Sequence, residues 1–144
     1  MGISKRVIIL ICAAGALLSW FYANSTDMLE VRIVSNKTSF QRGDSAHFDF
    51  YLACRFNPFS DSATIPSLNH EVTITGPEGP ILSRQEFIHR KEPITLHYGS
   101  QLKLGELDWN LCDLSGRPVP KGTYRILVSL LDQKLSGEIS VKVE

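Results

Sequence analysis

From Met28 to the C-terminus, apolar and polar residues alternate with a period of two, and no stretch repeats at helical spacing. Leu29, Val31 and Ile33 alternate with Glu30 and Arg32, and Phe48, Phe50 and Leu52 with His47, Asp49 and Tyr51. Val72 and Ile74, then Tyr124, Ile126, Val128 and Leu130, then Ile139, Val141 and Val143 repeat the pattern. Each run has one greasy face and one wet face, as antiparallel strands over a single core require. The breaks are turn chemistry: Arg42-Gly43-Asp44, Gly76-Pro77-Glu78-Gly79-Pro80, Asp113-Leu114-Ser115-Gly116 and Pro118-Val119-Pro120-Lys121-Gly122. Asp132-Gln133-Lys134 closes a final hairpin, and Ile81–His89 and Pro93–Tyr98 add two weaker strands, the second an edge strand since it starts at proline. Seven or eight short strands at this spacing predict an all-β antiparallel sandwich. With 144 residues, 43% of them hydrophobic, the chain is long enough for one such domain and too apolar for a disordered tail.

The N-terminus has different chemistry. Lys5 and Arg6 precede an uncharged apolar run from Val7 to Ala23, and Asn24 onward is polar. A basic stub before such a run is the arrangement of a secretory signal or an N-terminal anchor, with the basic end in the cytoplasm. The run has 17 residues, long for a signal core and at the lower bound for spanning a bilayer. Cleavage after Ala16 or after the Ala23-Asn24-Ser25 site, and retention as a single hydrophobic helix, both stay open. Residues 1–25 are thus expected to be a signal peptide or membrane anchor and residues 26–144 the sandwich. Cys12 is not a lipidation site, because Ile11 before it is too large. Export makes the Asn-x-Ser/Thr sites at Asn24 and Asn36 relevant as glycosylation candidates.

One strand breaks phase. Leu102 and Leu104 are even, while Leu107, Trp109 and Leu111 are odd, so both sets face the core only if a residue is inserted. A β-bulge is expected at Gly105-Glu106, with glycine supplying unusual backbone angles; two separate strands are the alternative.

Residues 107–128, LDWNLCDLSGRPVPKGTYRILV, resemble the W-x3-D-x2-G-x2-V-P-x-G-T-Y hairpin of bacterial immunoglobulin-like domains, through Trp109, Asp113, Gly116, Val119, Pro120, Gly122, Thr123 and Tyr124. That hairpin recurs in the BsuPI-type proteinase-inhibitor family and in the immunoglobulin-like domain of flagellar hook-capping proteins. FQRGDSAHFDF, residues 40–50, is similar to the second strand of macroglobulin-like surface modules. The resemblance implies an immunoglobulin-like sandwich, but it names no function, because such sandwiches host many roles.

Formal net charge is zero, with 15 basic and 15 acidic side chains, so no basic excess exists to bind nucleic acid. No nucleophile motif, phosphate loop or paired-carboxylate pattern appears, and His47, His70, His89 and His97 lack ligand spacing. No catalytic residue, cofactor or metal is therefore expected. Cys54 and Cys112 are the cysteines beyond the apolar run, and an oxidising compartment favours their pairing. Cys54 keeps the inward parity of its strand; Cys112 does not, so a bridge needs the chain to turn at Leu111. The stretch Arg55–Asn69 exceeds a usual connection and carries Arg55, Phe56, Phe59 and Ile65, which either cap the core or form a binding loop. Pro77–Pro80 is a second candidate contact. These features predict a non-enzymatic, exported or membrane-anchored module with a protein partner. A BsuPI-type inhibitor and a structural subunit of a surface assembly are the alternatives.

Overall fold

The computed structural model describes residues 28–58, 60–88 and 92–144. Within them the chain is all-β, with ten strands: β1 (Leu29–Ser35), β2 (Ser39–Phe40), β3 (Ala46–Cys54), β4 (Ser62–Ile65), β5 (His70–Gly76), β6 (Gly79–Glu86), β7 (Ile94–His97), β8 (Gln101–Trp109), β9 (Gly122–Leu130) and β10 (Leu135–Val143). Every run that alternates in the sequence is a strand. The count exceeds seven or eight because β2 and β4 are too short to show a period. Residues 1–27, and with them the apolar run, lie outside the described residues.

Three sheets form, ordered β1-β3-β8, β2-β10-β9-β5-β6 and β4-β7. The first two face each other, and their inward residues make one core. Rings meet across the gap: Phe40 of β2 stands 6.4 Å from Phe48 of β3, and Trp109 of β8 stands 5.2 Å from Tyr124 of β9. Tilted ring pairs at these separations contribute about 1 kcal/mol each beyond their buried area.

The sandwich is not wholly antiparallel. After β1 the chain crosses to the other sheet, where β2 pairs in parallel with β10, Ser39 opposite Lys142 and Phe40 opposite Val143. Fully buried Phe40 drives the crossing by planting its ring in the core. The edge of β1 meanwhile closes on β10: a Cβ added at Gly137 would lie 2.2 Å from the main-chain oxygen of Val31. Val31, Thr38 and Phe40 lie beside Gly137, Lys142 and Val143 in the same order, so β1–β2 and β10 run in the same direction. The β9–β10 turn therefore lies at the end of the sandwich where β1 begins, and Glu144 lies at the opposite end.

A bulge is present, one residue before the expected Gly105-Glu106. Phe50 pairs with Gly105 and Tyr51 with Lys103, so Leu104 is the extra residue in a continuous β8. The reason for glycine differs from the expectation, because Gly105 has no positive φ. Its open side instead faces His70, whose Nε2 would lie 3.5 Å from an added Cβ. His70 is wholly buried, with Nδ1–H donating to Leu68 O at 3.0 Å.

The expected hairpin over residues 107–128 is instead a crossover, because β8 and β9 lie in different sheets, but the link keeps its turn chemistry. Asp113 Oδ1 accepts the main-chain N–H of Ser115 and of Arg117 at 2.8 and 2.9 Å, and Gly116 takes φ 76°. Trp109 Nε1–H donates to Cys112 O at 3.0 Å, and the Tyr124 hydroxyl donates to Pro120 O at 2.5 Å.

Candidate functional site

The stretch expected to be an irregular loop splits in two. Ser62–Ile65 forms β4, which pairs with β7, and Ile65 and Leu68 are buried against the core. The preceding residues stay at the surface, but their main chain is pinned. Arg55 N–H donates to Met28 O, Cys54 N–H to Ser100 O, Gly99 N–H to Cys54 O and Tyr98 N–H to Asp61 O, at 2.6 to 3.1 Å. On this frame Phe56 is 69% exposed and Tyr98 59% exposed, and their rings meet edge to face at 5.5 Å. One cleft of about 290 Å³ opens on one side, bounded by Arg32, Arg55, Phe56, Tyr98 and Gln101. A shallower one of about 580 Å³ lies between Phe56, Pro58, Asp61 and Tyr98. Glu30 holds both guanidinium groups at the rim, those of Arg32 and Arg55.

Of the expected binding-loop residues, Arg55 and Phe56 thus share one surface, Ile65 is a core residue and Phe59 lies outside the described residues. Tyr98 completes the surface from a distant part of the sequence. Its only signal there is that it ends a short strand beside a glycine. The Pro77–Pro80 turn is at the other end of the sandwich, with Pro77 packed near Gly122. Asn36 is exposed just after β1, its Oδ1 accepting His47 N–H at 3.3 Å, while Asn24 lies outside the described residues. The Arg42-Gly43-Asp44 tripeptide is a turn: the Asp44 carboxylate accepts Gln41 N–H, which holds its pKa below the usual value, and Lys37 adds to this.

The expected disulfide is not formed, and Cys54 and Cys112 are free thiols. Trp109 pairs with Ala46 at the start of β3, whereas Cys54 is the last residue of that strand. Eight strand residues put the two cysteines roughly 25 Å apart, against the 4.4–6.8 Å between Cα atoms that a disulfide needs. Parity along a strand reports the face a side chain takes, not its height. Burial pushes the Cys54 thiol pKa up, which makes it a poor nucleophile.

A second cluster was not foreseen. On the outer face of the first sheet His47 lies opposite Asp108 and Asp49 opposite Glu106. His47 Nδ1 is 2.7 Å from Asp108 Oδ1, and Nε2 is 3.5 Å from Asp49 Oδ2. Potential metal-ligand atoms of His47, Asp49 and Glu106 lie within 4.8 Å of one another. The Lys103 ammonium already bridges the facing carboxylates, 2.7 Å from Asp49 and 2.6 Å from Glu106, and its own pKa is raised by them. It supplies the cation that two like charges opposite each other on a sheet require. The bulge sets this arrangement by shifting Glu106 and Asp108 onto the wet face.

The hydrogen bond that His47 donates to Asp108, aided by the charges of Asp108, Asp49 and Glu106 and opposed by desolvation, raises the His47 pKa above 6.5. The folded state then binds the proton more tightly than the unfolded chain. This stabilisation is complete below about pH 6.5 and is lost as pH rises through the folded-state value. The urea midpoint is expected to fall between about pH 5.5 and pH 8.5 by more in the parent than in His47→Gln. An equal fall in both would show that His47 is not linked to folding.

No protein-family model matches the chain, and no curated protein matches it. Among solved structures it is similar to part of an alkylpurine DNA glycosylase from Pseudomonas fluorescens bound to DNA, with 12% identity and TM-score 0.49 over 81% of this chain and 30% of that one. A β-glucosidase from Erythrobacter marinus aligns with 10% identity and TM-score 0.47 over 81% of this chain and 15% of that one. The CARDB domain of a Pyrococcus furiosus protein in complex with di-metal ions aligns with 13% identity and TM-score 0.43, covering 81% and 87%. The chain thus spans under a third of the two enzymes' lengths. Enzymes and non-enzymes both carry such β domains, and no activity follows from the likeness.

Proposed function

We propose that the chain is a non-enzymatic interaction module, an immunoglobulin-like sandwich exported across a membrane and held there by Val7–Ala23. Its contact surface is the end that carries Arg55, Phe56 and Tyr98. The observation that carries this reading is the Phe56–Tyr98 pair: two large rings left in water although the main chain beneath them is fixed by hydrogen bonds. Rings on a rigid loop frame are suited to recognition and contribute little to the core. The immunoglobulin-like part is supported by the sheet order and by Tyr124. Its hydroxyl bonds back to Pro120, two residues before β9 begins, as in the tyrosine corner of such sandwiches. Of the positions shared with the BsuPI-like pattern, Trp109, Asp113, Gly116, Val119, Pro120, Gly122 and Tyr124 have turn or packing roles, so that match favours kinship of fold and adds nothing to an inhibitory reading.

Export is supported by the basic stub and apolar run alone, and among the described residues no helix is long and apolar enough to cross a membrane. Two measurements test the proposal. The full chain is expected to stay with membranes through an alkaline carbonate wash; recovery in the cytosolic fraction would overturn the anchor. The double variant Phe56→Ser/Tyr98→Ser is expected to keep stability within about 1 kcal/mol of the parent. A much larger loss would make the rings structural and remove them as a contact surface.

A further inference from the structure

We infer that the Phe56–Tyr98 end of the sandwich docks, through its rings, on the lipid surface from which the chain emerges. The inference rests on the anchored reading above and names the occupant of its contact surface. Met28 hydrogen-bonds to Arg55, so the chain enters the domain directly beside Phe56. Only Asn24–Asp27 separates Met28 from the apolar run that ends at Ala23. The five steps from Ala23 to Met28 reach at most about 18 Å even when fully extended. With Val7–Ala23 in a bilayer, the end bearing Phe56 and Tyr98 faces the headgroups and the end bearing Glu144 points away. A gap of that height is less than two helix diameters, which leaves scant room for a folded partner beneath the domain.

The chemistry of this end suits the interface. Phe56 is an apolar ring, and Tyr98 offers an apolar body with a hydroxyl, the amphipathic form that settles at headgroup depth. Leu131 and Lys134 in the β9–β10 turn are exposed at the same end. Charges around it balance, with Arg32, Arg55 and Lys134 against Glu30, Asp61 and Asp132, so docking needs no anionic lipid. A short tether keeps the surface continuously close, and a weak intrinsic affinity is then enough to hold it down.

The test uses the full chain in phosphatidylcholine vesicles with lipids brominated near the glycerol end of the acyl chains. In the parent, quenching of Trp20 reports insertion of the apolar run. In Trp20→Phe/Phe56→Trp, and separately in Trp20→Phe/Tyr98→Trp should the first not fold, the new indole is expected to lose about half its emission to the brominated lipid and to shift to the blue. Buried Trp109 is common to all and provides the unquenched baseline. A quenched Trp20 with an unquenched indole at position 56 or 98 would overturn docking and leave the anchor standing. An unquenched Trp20 would overturn the anchor, and docking with it.

Discussion

Replacing Gly137 by alanine is expected to destabilise the domain by about 3 kcal/mol, a fall in Tm of roughly 15 °C. Here β10 passes so close to β1 that an added methyl would sit 2.2 Å from the Val31 carbonyl oxygen and 3.0 Å from its Cβ. Ordinary Gly→Ala replacements in extended backbone gain a little by restricting the unfolded chain, so the sign is diagnostic. The nearest obstacle is main chain. Trimming the neighbour, as in Val31→Ala, should therefore not restore stability, whereas a side-chain clash would be relieved. Thermal unfolding of the two single variants and the double variant checks this. A Gly137→Ala protein as stable as the parent would mean that the two sheets do not close at this edge.

The second large effect centres on Tyr124, whose side chain is wholly buried between Trp109, Gly76 and the main chain at Pro120. Tyr124→Ala should cost about 4 kcal/mol through the cavity left behind, and Tyr124→Phe about 1 kcal/mol through the lost hydrogen bond. Gly76 gives a sharper test. A Cβ there would lie 2.4 Å from Tyr124 Cε1, so Gly76→Ala alone should destabilise by about 2 kcal/mol. With Tyr124→Ala already present, the ring is gone and Gly76→Ala should cost almost nothing further. Denaturant unfolding of the four proteins reads this coupling directly. Additive losses would show that Gly76 and Tyr124 do not touch.

Much of the architecture was legible because period-two alternation is a local property. Phe48, Phe50, Leu52, Tyr124, Ile126 and Val128 each take the inward face that their parity predicts. Even the bulge could be located to within a residue, since the phase break between Leu104 and Leu107 has few other remedies. What could not be read is which residues stand beside one another across strands, because register is set by pairing over long sequence separations. That is why the cluster of His47, Asp49, Lys103, Glu106 and Asp108 went unseen, and why Cys54 and Cys112 were expected to meet. The parallel β2–β10 pair escaped for another reason: two residues are too few to show a period. In the candidate site, Phe56 was identifiable as an apolar residue in a long connection, whereas Tyr98 reaches it only through β7 and the folded main chain.

The places where β1 begins and β10 ends also decide how the domain takes a load. Met28 enters at one pole and Glu144 leaves at the other, and β1 runs between them, bonded to β3 through seven residue pairs. A pull between an immobilised N-terminus and anything grasping the C-terminus acts lengthwise on that ladder. Its rungs then resist together in shear, whereas a pull across the strands would peel them apart one at a time. The route of the first strand is thus expected to make the domain resist a pull between Met28 and Glu144 more than a pull across its strands.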